Sequence, residues 1–161
     1  MNWESIYLKI YQKANPYKTV ICLGNTFLTY LYYGIYPLLL LYVFFYHAQD
    51  LLKMICIPGA SFCIVSYARK KIGRKRPYEV FHSIPMISKD TKNNAMPSRH
   101  IFSAFVITMA VLYYNVLIGR VLFFLAIIEG VIRVIGGVHF VSDVVVGAML
   151  GILSGILLFL I

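Results

Sequence analysis

Charged residues are scarce in this 161-residue chain, and acidic ones especially so. Asp, Glu, Lys and Arg make up only 13% of the sequence, and only six residues are acidic. Because soluble globular domains carry about 25% charged residues, the composition excludes an ordinary soluble domain. The 60% content of hydrophobic residues also excludes a disordered chain. Together these values predict an integral membrane protein.

Cysteine is also rare. Cys22, Cys56 and Cys63 all lie in apolar segments, and no two of them form a Cys-x-x-Cys pair. The spacing therefore predicts neither a zinc site nor a disulfide framework. Residues 1–4 contain no basic stretch followed by an early apolar run, so we expect no cleavable signal peptide.

Long hydrophobic segments dominate the rest of the chain. A membrane-spanning helix needs about 20 apolar residues. The predicted spans cover about residues 19–46, 51–67, 98–114, a stretch that ends near 133, and 141–161. The last of them carries Gly147, Gly151 and Gly155 at four-residue intervals, a pattern typical of closely packed membrane helices. We therefore predict an all-α fold, a polytopic membrane helical bundle of about five spans that forms one domain over residues 1–161.

An amphipathic segment precedes these spans at residues 1–16. Its apolar side chains recur at helical spacing, and they are Trp3, Ile6, Tyr7, Ile10 and Tyr11. This pattern predicts a helix that lies in the membrane interface.

Three polar clusters interrupt the apolar pattern, and the alternation of spans places all three on the same side of the membrane. The second span delivers the first cluster to one face. The third span starts from that face, and the fourth returns to it. Side chains that are distant in the sequence are thereby predicted to meet at one membrane interface.

The first cluster opens a polar, basic loop predicted over residues 69–97, the candidate active-site loop. Nine of the fifteen Lys and Arg residues lie between Arg69 and Arg99. Guanidinium groups present forked donors that suit phosphate oxygens, so a basic cluster of this kind indicates a candidate phosphate site. A solvated basic stretch beside the membrane is the alternative interpretation.

The second cluster, Pro97-Ser98-Arg99-His100, begins the third span. Ser98 is placed as the N-cap of that helix. The free N–H groups of the first turn and the helix dipole form a natural anion site. His100 in that turn is placed to protonate a leaving oxygen, although an ordinary helix start with an interfacial histidine is the alternative.

The third cluster consists of Arg133, His139 and Asp143. The i, i+4 spacing of His139 and Asp143 predicts that they share one helical face, where the carboxylate fixes the imidazole tautomer. A histidine held in this way can act as a base or as a nucleophile. Arg133 is predicted to help bind a phosphate and to pair with Glu129, because an unpaired charge in the bilayer centre costs about 2.5–3.5 kcal/mol. A snorkelling arginine is the alternative.

Together the three clusters resemble the signature of the type 2 phosphatidic acid phosphatase superfamily. That signature comprises Lys, six residues and Arg-Pro; then Pro-Ser-Gly-His; then Ser-Arg, five residues, His, three residues and Asp. The chain carries Arg69 through Arg76-Pro77, Pro97-Ser98-Arg99-His100, and Ile132-Arg133 through His139 and Asp143. Order and spacing agree throughout, and the resemblance covers about residues 51–161.

Three positions depart from the family pattern. Arg69 replaces Lys, with Lys70 adjacent as a second cation. Arg99 replaces Gly and adds bulk and charge beside His100, which is expected to alter substrate choice. Ile132 replaces Ser and removes one potential hydrogen bond to phosphate. The family commonly has six spans, whereas about five are predicted here.

The resemblance implies a metal-independent phosphatase that acts on a lipid phosphate or diphosphate without a cofactor. By the same resemblance, His139 is the nucleophile that forms a phosphohistidine, Asp143 orients it, and His100 is the general acid. The implied phosphate-binding residues are Arg69, Lys70, Arg76, Ser98, Arg99 and Arg133.

The substrate stays open among phosphatidic acid, phosphatidylglycerol phosphate and undecaprenyl diphosphate, each of which would enter from the lipid bilayer. No nucleic acid partner is expected, because no soluble module could present a groove-reading element. The oligomeric state is not predicted. The alternative from another class is a non-enzymatic lipid-binding or transport protein with an anion site. The two histidines at positions of the family motifs, His100 and His139, favour the enzyme.

The positive-inside rule and the family resemblance favour opposite orientations of this multi-pass cell-membrane protein. The positive-inside rule favours a cytoplasmic site, because most of the Lys and Arg residues lie on that side. The family resemblance favours a site that faces outward. We expect the outward orientation, because cations that bind phosphate are not free topological markers.

Overall fold

Helices make up the regular structure of this chain. A computed structural model describes residues 3–88 and 92–161. The helices are α1 (Trp3–Ala14), α2 (Lys18–Tyr46), α3 (Leu51–Ile72), α4 (Pro77–Val80), α5 (Arg99–Tyr114), α6 (Val116–Ile135) and α7 (Val141–Leu160). Short 3-10 turns at Asn15–Tyr17 and Ala48–Asp50 join α1 to α2 and α2 to α3. The predicted all-α class is confirmed.

Within the residues that the structure describes, three helical stretches are long and apolar enough to cross a membrane, and they are Tyr7–Tyr46, Ala48–Val80 and Val141–Leu160. α5 is apolar but has only 16 residues. α6 has 20 residues, which include Arg120, Glu129 and Arg133. Both helices pack in the same bundle, so the structure agrees with the predicted polytopic architecture.

α5 is the central helix of the bundle. It contacts α2, α3, α6 and α7, and the side chains of Ile101, Phe102, Ala104 and Ala110 are fully buried. A helix enclosed by protein needs no long lipid-facing belt, which explains how 16 residues suffice. Large exposed hydrophobic side chains lie instead on α2, α3, α6 and α7, where contact with lipid stabilises them.

The glycine stripe of α7 packs directly against α5. A Cβ atom added at Gly147 would lie 2.7 Å from the carbonyl oxygen of Ser98, and one at Gly151 would lie 2.6 Å from that of Phe102. Real Cβ atoms do not approach a backbone so closely, so only glycine permits this contact. The predicted close packing is confirmed, and it places the start of α5 beside the first turn of α7.

α3 is longer than predicted. It continues past Tyr67 to Ile72, so residues 69–72 are helical rather than the start of the loop. Gly73 ends the helix in the left-handed conformation, with a φ of 58°, and its N–H donates to the carbonyl of Arg69 (3.2 Å). The polar segment therefore spans residues 73–97 and contains the short helix α4. Its residues 89–91 lie outside the described part of the chain.

α1 packs on this polar segment. The rings of Tyr7 and Phe81 lie 4.8 Å apart between centroids, and the hydroxyl of Tyr11 donates to the carbonyl of Ile84. The sequence predicts that Tyr7 and Tyr11 both face the membrane interface. In the structure, their rings and hydroxyl groups contact the polar segment of the protein. The predicted interfacial side chains within residues 1–6 lie outside the description.

The Gly151→Ala substitution tests the contact between α5 and α7. We expect it to lower the free energy of unfolding by about 1–3 kcal/mol, because the new methyl group meets backbone that cannot move aside. The melting temperature of the detergent-solubilised protein measures the effect. The matched control is Gly34→Ala, where a Cβ atom would meet nothing within 4 Å. Equal melting temperatures for the two variants would contradict the close packing.

Candidate active site

A cavity of about 150 Å³ lies where α3, the polar segment and the start of α5 meet. It is lined by Ser66, Arg69, Lys70, Arg76, Asn93, Asn94, Arg99 and His100. We call it the cationic cavity, because four Lys and Arg side chains line it and the lining residues include no carboxylate. Five of the nine residues predicted for the site therefore meet in one space that suits an anion.

Hydrogen bonds to backbone carbonyls fix the two buried arginines of this cavity. Arg69, in the last turn of α3, donates from Nη1 to Pro97 (2.8 Å). Arg76, just before α4, donates from Nη1 to Val138 (3.0 Å), and its N–H donates to the carboxylate of Glu79 (2.8 Å). The Nε of Arg76 is buried without a hydrogen-bond partner among the described residues. It is a donor that an anion could use.

Three more predicted residues, Ser98, His139 and Asp143, form a second buried group. The N–H of Ser98 donates to the carbonyl of Asp143 (3.0 Å). None of the three lines the cationic cavity. Arg76 joins the two groups, because it contacts Val138 beside His139 and lies within electrostatic range of both His139 and Asp143.

Ser98 occupies the N-cap position of α5, as predicted, but its side chain makes no capping hydrogen bond. The predicted N-cap position is confirmed, although the side-chain hydrogen bond common at this position is not made. The backbone contact with Gly147 of α7 fixes this residue instead. Its Oγ is buried and has no hydrogen-bond partner in the part of the chain that the structure describes. Because such a hydroxyl is costly to bury, a bound anion would stabilise it.

His139 and Asp143 are close, but not for the predicted reason. His139 lies in the connection before α7 rather than on the helix, so a shared helical face is wrong. The Asp143 carboxylate instead turns back to the helix start, where Oδ2 accepts a hydrogen bond from the N–H of Phe140 (2.9 Å). Nδ1 of His139 lies 3.5 Å from the same oxygen. Neither ring nitrogen has a hydrogen-bond partner of good geometry among the described residues.

Burial sets the charge of His139. Its side chain is 1% exposed, and the loss of hydration lowers its pKa from 6.5 to about 4. The Asp143 carboxylate opposes this shift, whereas Arg76 and Arg133 add to it. The imidazole is therefore neutral at neutral pH and keeps a lone pair for chemistry.

Arg133 forms the predicted pair with Glu129. Its Nε lies 3.3 Å from Oε1 of that carboxylate, and both side chains are buried. A second donor, Nη2, reaches Oγ1 of Thr29 on α2 (3.1 Å). Arg133 is thus anchored inside the bundle and does not snorkel. It does not line the cationic cavity, but it lies within electrostatic range of Arg76 and His139.

Arg74 is a site residue that the sequence analysis missed. Its Nη1 donates to Oδ1 of Asp143 (2.7 Å) and to Oγ of Ser142 (2.8 Å). Its guanidinium also lies 4.7 Å from the centroid of the Phe140 ring. In the sequence Arg74 is one cation among several in a basic stretch, so no spacing distinguishes it.

A second cavity, of about 180 Å³, adjoins the cationic cavity and shares Arg99 and His100 with it. We call it the intermediate cavity. It is lined by Thr29, Tyr32, Tyr33, Phe62, Arg99, His100, Ser103 and Glu129. Arg99 stands at the junction, with its guanidinium 5.8 Å from the centroid of the Phe62 ring.

A third cavity continues the row as an apolar groove of about 330 Å³ between α2, α3 and α5. It shares Tyr32, Tyr33, Phe62 and Ser103 with the intermediate cavity. Exposed residues of α2 and α3, Pro37 and Gly59, line its outer side. The groove therefore opens on the surface that faces lipid. Their shared lining residues place the three cavities in a row from the cationic cavity to the lipid-facing surface.

The low pKa of His139 can be measured by NMR on protein with ¹³C-labelled histidine in detergent. The signal that disappears in His139→Asn belongs to His139. We expect it to keep the chemical shift of a neutral imidazole at pH 5.5, because burial lowers its pKa to about 4. A midpoint near the ordinary value of 6.5 would contradict the desolvated environment.

Comparison with known proteins identifies related structures and sequences. The crystal structure of LpxE from Aquifex aeolicus superposes with a TM-score of 0.79 at 24% identity and covers 98% of this chain and 94% of that one. A transmembrane PAP2-type phosphatidylglycerolphosphate phosphatase from Bacillus subtilis gives a TM-score of 0.60 at 22% identity, over 96% and 90% of the two chains. At these identities the likeness concerns the fold alone.

Sequence comparison covers the segment that carries the motifs. The bacitracin transport permease protein BcrC of Bacillus licheniformis is 32% identical over 85 residues, which is 51% of this chain and 42% of that protein. The chain therefore matches less than half the length of this relative. The family model of the PAP2 superfamily matches residues 50–161. This match covers more than half of the chain and includes all three motifs. The chain belongs to the PAP2 superfamily.

Proposed function

We propose that this chain hydrolyses a lipid phosphate or diphosphate, with His139 as the nucleophile. The row of three cavities carries this proposal. A cationic cavity at one end and an apolar groove at the other match a phosphorylated head group and a hydrocarbon chain. Membership of the PAP2 superfamily supports the same chemistry.

The proposed reaction has two steps. Nε2 of His139 attacks phosphorus, and the bond between phosphorus and the leaving oxygen breaks while His100 gives that oxygen a proton. A water molecule then loses a proton to His100 and attacks the phosphohistidine, which releases inorganic phosphate and neutral His139. Nε2 is the attacking atom because Nδ1 faces Asp143 at 3.5 Å.

The state of His139 supports its role as a nucleophile. A protonated imidazole has no lone pair, whereas the low pKa of this buried ring keeps it neutral at neutral pH. We propose that Asp143 holds the tautomer with the proton on Nδ1. A closer approach of about half an ångström would bring this pair to ordinary hydrogen-bond length.

The proposed phosphate ligands act through charge and position. Catalysis of phosphoryl transfer depends on holding the group in line and stabilising the charge on its oxygens. Arg69, Arg76 and Ser98 would bind those oxygens, with Arg133 behind them, Lys70 in the lining of the cationic cavity and Arg99 at its junction with the intermediate cavity. The described residues include no cluster of three or more His, Cys, Asp or Glu side chains that could hold a metal. As the family resemblance implies, we propose that the cations do this work without a metal ion.

The substrate classes we propose follow from the groove and from the relatives. Phosphatidylglycerol phosphate is named in the description of one solved relative. Phosphatidic acid and undecaprenyl diphosphate present the same combination of phosphate and long apolar chain. Each would enter sideways, with its chain in the groove between α2 and α3.

We also propose that the site faces outward from the cell membrane. Its cations are engaged within the site, Arg69 with Pro97 and Arg74 with Asp143. Cations with such structural contacts are weaker topological signals than free loop lysines.

Replacing His139 tests the proposed nucleophile. We expect His139→Ala to lower phosphate release by at least about a thousandfold, as losses of catalytic nucleophiles do. The assay measures inorganic phosphate from the three lipids above in detergent and EDTA, and vanadate should inhibit the wild-type protein. The control is His47→Ala, which should not affect the rate. His47 lies before the N-terminus of α3, at the other end of this helix from Arg69.

Three other outcomes would contradict parts of this proposal. Near-normal turnover by His139→Ala would contradict the nucleophile. Loss of wild-type activity in EDTA, restored by magnesium, would contradict the metal-free reaction. A wild-type protein that binds these lipids but releases no phosphate from any of them would favour a lipid-binding or transport protein.

Arg74→Gln tests a positioning role for Arg74. We expect kcat to fall about tenfold with little change in KM, because Asp143 loses a charge-assisted hydrogen bond and holds His139 less firmly. Arg74→Lys should restore part of the rate. The control is Lys75→Gln, which removes the same charge from an exposed neighbour. Equal kcat values for Arg74→Gln and Lys75→Gln would contradict the role.

A further inference from the structure

One carboxylate oxygen in the intermediate cavity lacks a partner. Glu129 is 1% exposed, and its Oε1 accepts hydrogen bonds from Nε of Arg133 (3.3 Å) and Oγ1 of Thr29 (3.4 Å). Its Oε2 is buried and accepts none from the described residues. A buried charged acceptor without a donor is costly, so a donor from a bound molecule would stabilise it.

The position of Glu129 relates this oxygen to the substrate. Glu129 lines the intermediate cavity together with Arg99 and His100, and these two residues also line the cationic cavity. A phosphate in the cationic cavity would therefore place the first atoms of its leaving group in the intermediate cavity. The apolar groove would hold the chain that follows.

The surrounding charges indicate which donor fits. Arg133 already neutralises Glu129, and Arg99 adds a positive charge to the cavity lining. An ammonium group would therefore meet a cavity without net negative charge. A neutral hydroxyl satisfies Oε2 without bringing another cation. The tyrosines of the lining, Tyr32 and Tyr33, leave the rest of the cavity suited to carbon atoms.

We propose that the intermediate cavity is a specificity subsite, in which Oε2 of Glu129 accepts a hydrogen bond from a free hydroxyl next to the phosphate ester. The inference rests on the proposed function. It narrows the substrate class to lipid phosphates with such a hydroxyl, such as those built on a partly acylated glycerol. Lipids without a hydroxyl at that position are disfavoured. They include phosphatidic acid, which carries an acyl ester there, and prenyl diphosphates, which carry a second phosphate there.

A substrate pair that differs by one hydroxyl tests the subsite. The pair is 1-oleoylglycerol 3-phosphate and its 2-deoxy analogue, the oleoyl ester of 3-hydroxypropyl phosphate. We expect the wild-type protein to show a kcat/KM at least about tenfold higher for the hydroxylated lipid, because a hydrogen bond to a charged acceptor contributes at this level.

The variant Glu129→Gln locates the preference. If its amide oxygen keeps Arg133, its NH₂ group takes the place of Oε2 and turns an acceptor into a donor. We expect the preference to fall several-fold, because the substrate hydroxyl can still accept a hydrogen bond from this NH₂ group but loses the charged acceptor. The control is Thr29→Val, which removes a contact to Arg133 and Oε1 but leaves Oε2 unchanged. It should lower both rates alike and keep the preference.

The outcomes separate this inference from the proposed function. Equal kcat/KM values for the two lipids in the wild-type protein would overturn the subsite and leave the phosphatase intact. That measurement needs no variant, so it decides the matter even if Glu129→Gln does not fold. A preference that is undiminished in Glu129→Gln would also overturn the role of Glu129. No phosphate release from any lipid would overturn both proposals.

Discussion

The close contact between α5 and α7 sets the geometry of the candidate site. Because Gly147 has no side chain, the backbone of Ser98 lies against α7, and its N–H reaches the carbonyl of Asp143 at 3.0 Å. The second and third sequence motifs are thereby joined through backbone atoms, before any catalytic side chain is considered. A larger residue at this position would separate the start of α5 from the start of α7, and with it the two histidine-bearing segments.

Asp143 extends this contact to the rest of the site. Its two carboxylate oxygens accept hydrogen bonds from Phe140 and from Arg74, which lie on different segments. A negative charge in the first turn of a helix is favoured by the helix dipole, so α7 itself stabilises the ionised form. The carboxylate therefore ties the polar segment to the helix start and keeps an oxygen 3.5 Å from His139. Fold and proposed chemistry depend on the same side chain.

Sequence reasoning found the parts of this arrangement that follow a spacing. The helical bundle, the glycine contact and the pair Glu129–Arg133 are all periodic features, and the structure confirms them. The predicted end of α3 is too early, although Gly73 is a residue typical of helix C-termini. The contacts of Thr29 and Arg74 could not be predicted, because they join residues 104 and 69 positions apart through tertiary packing. The shared helical face predicted for His139 and Asp143 is wrong, because His139 lies in the connection before α7.

Within the described part of the chain, buried polar atoms without protein partners are concentrated at the candidate site. Most buried polar groups in a folded protein find partners, yet Arg76 Nε, Ser98 Oγ and both ring nitrogens of His139 have none among the described residues. Polar groups buried without protein partners are costly to a fold. In the proposed reaction these atoms would donate to the oxygens of a phosphoryl group or attack its phosphorus. A phosphoryl group bound there would give them partners, so that binding energy would act on the reacting centre.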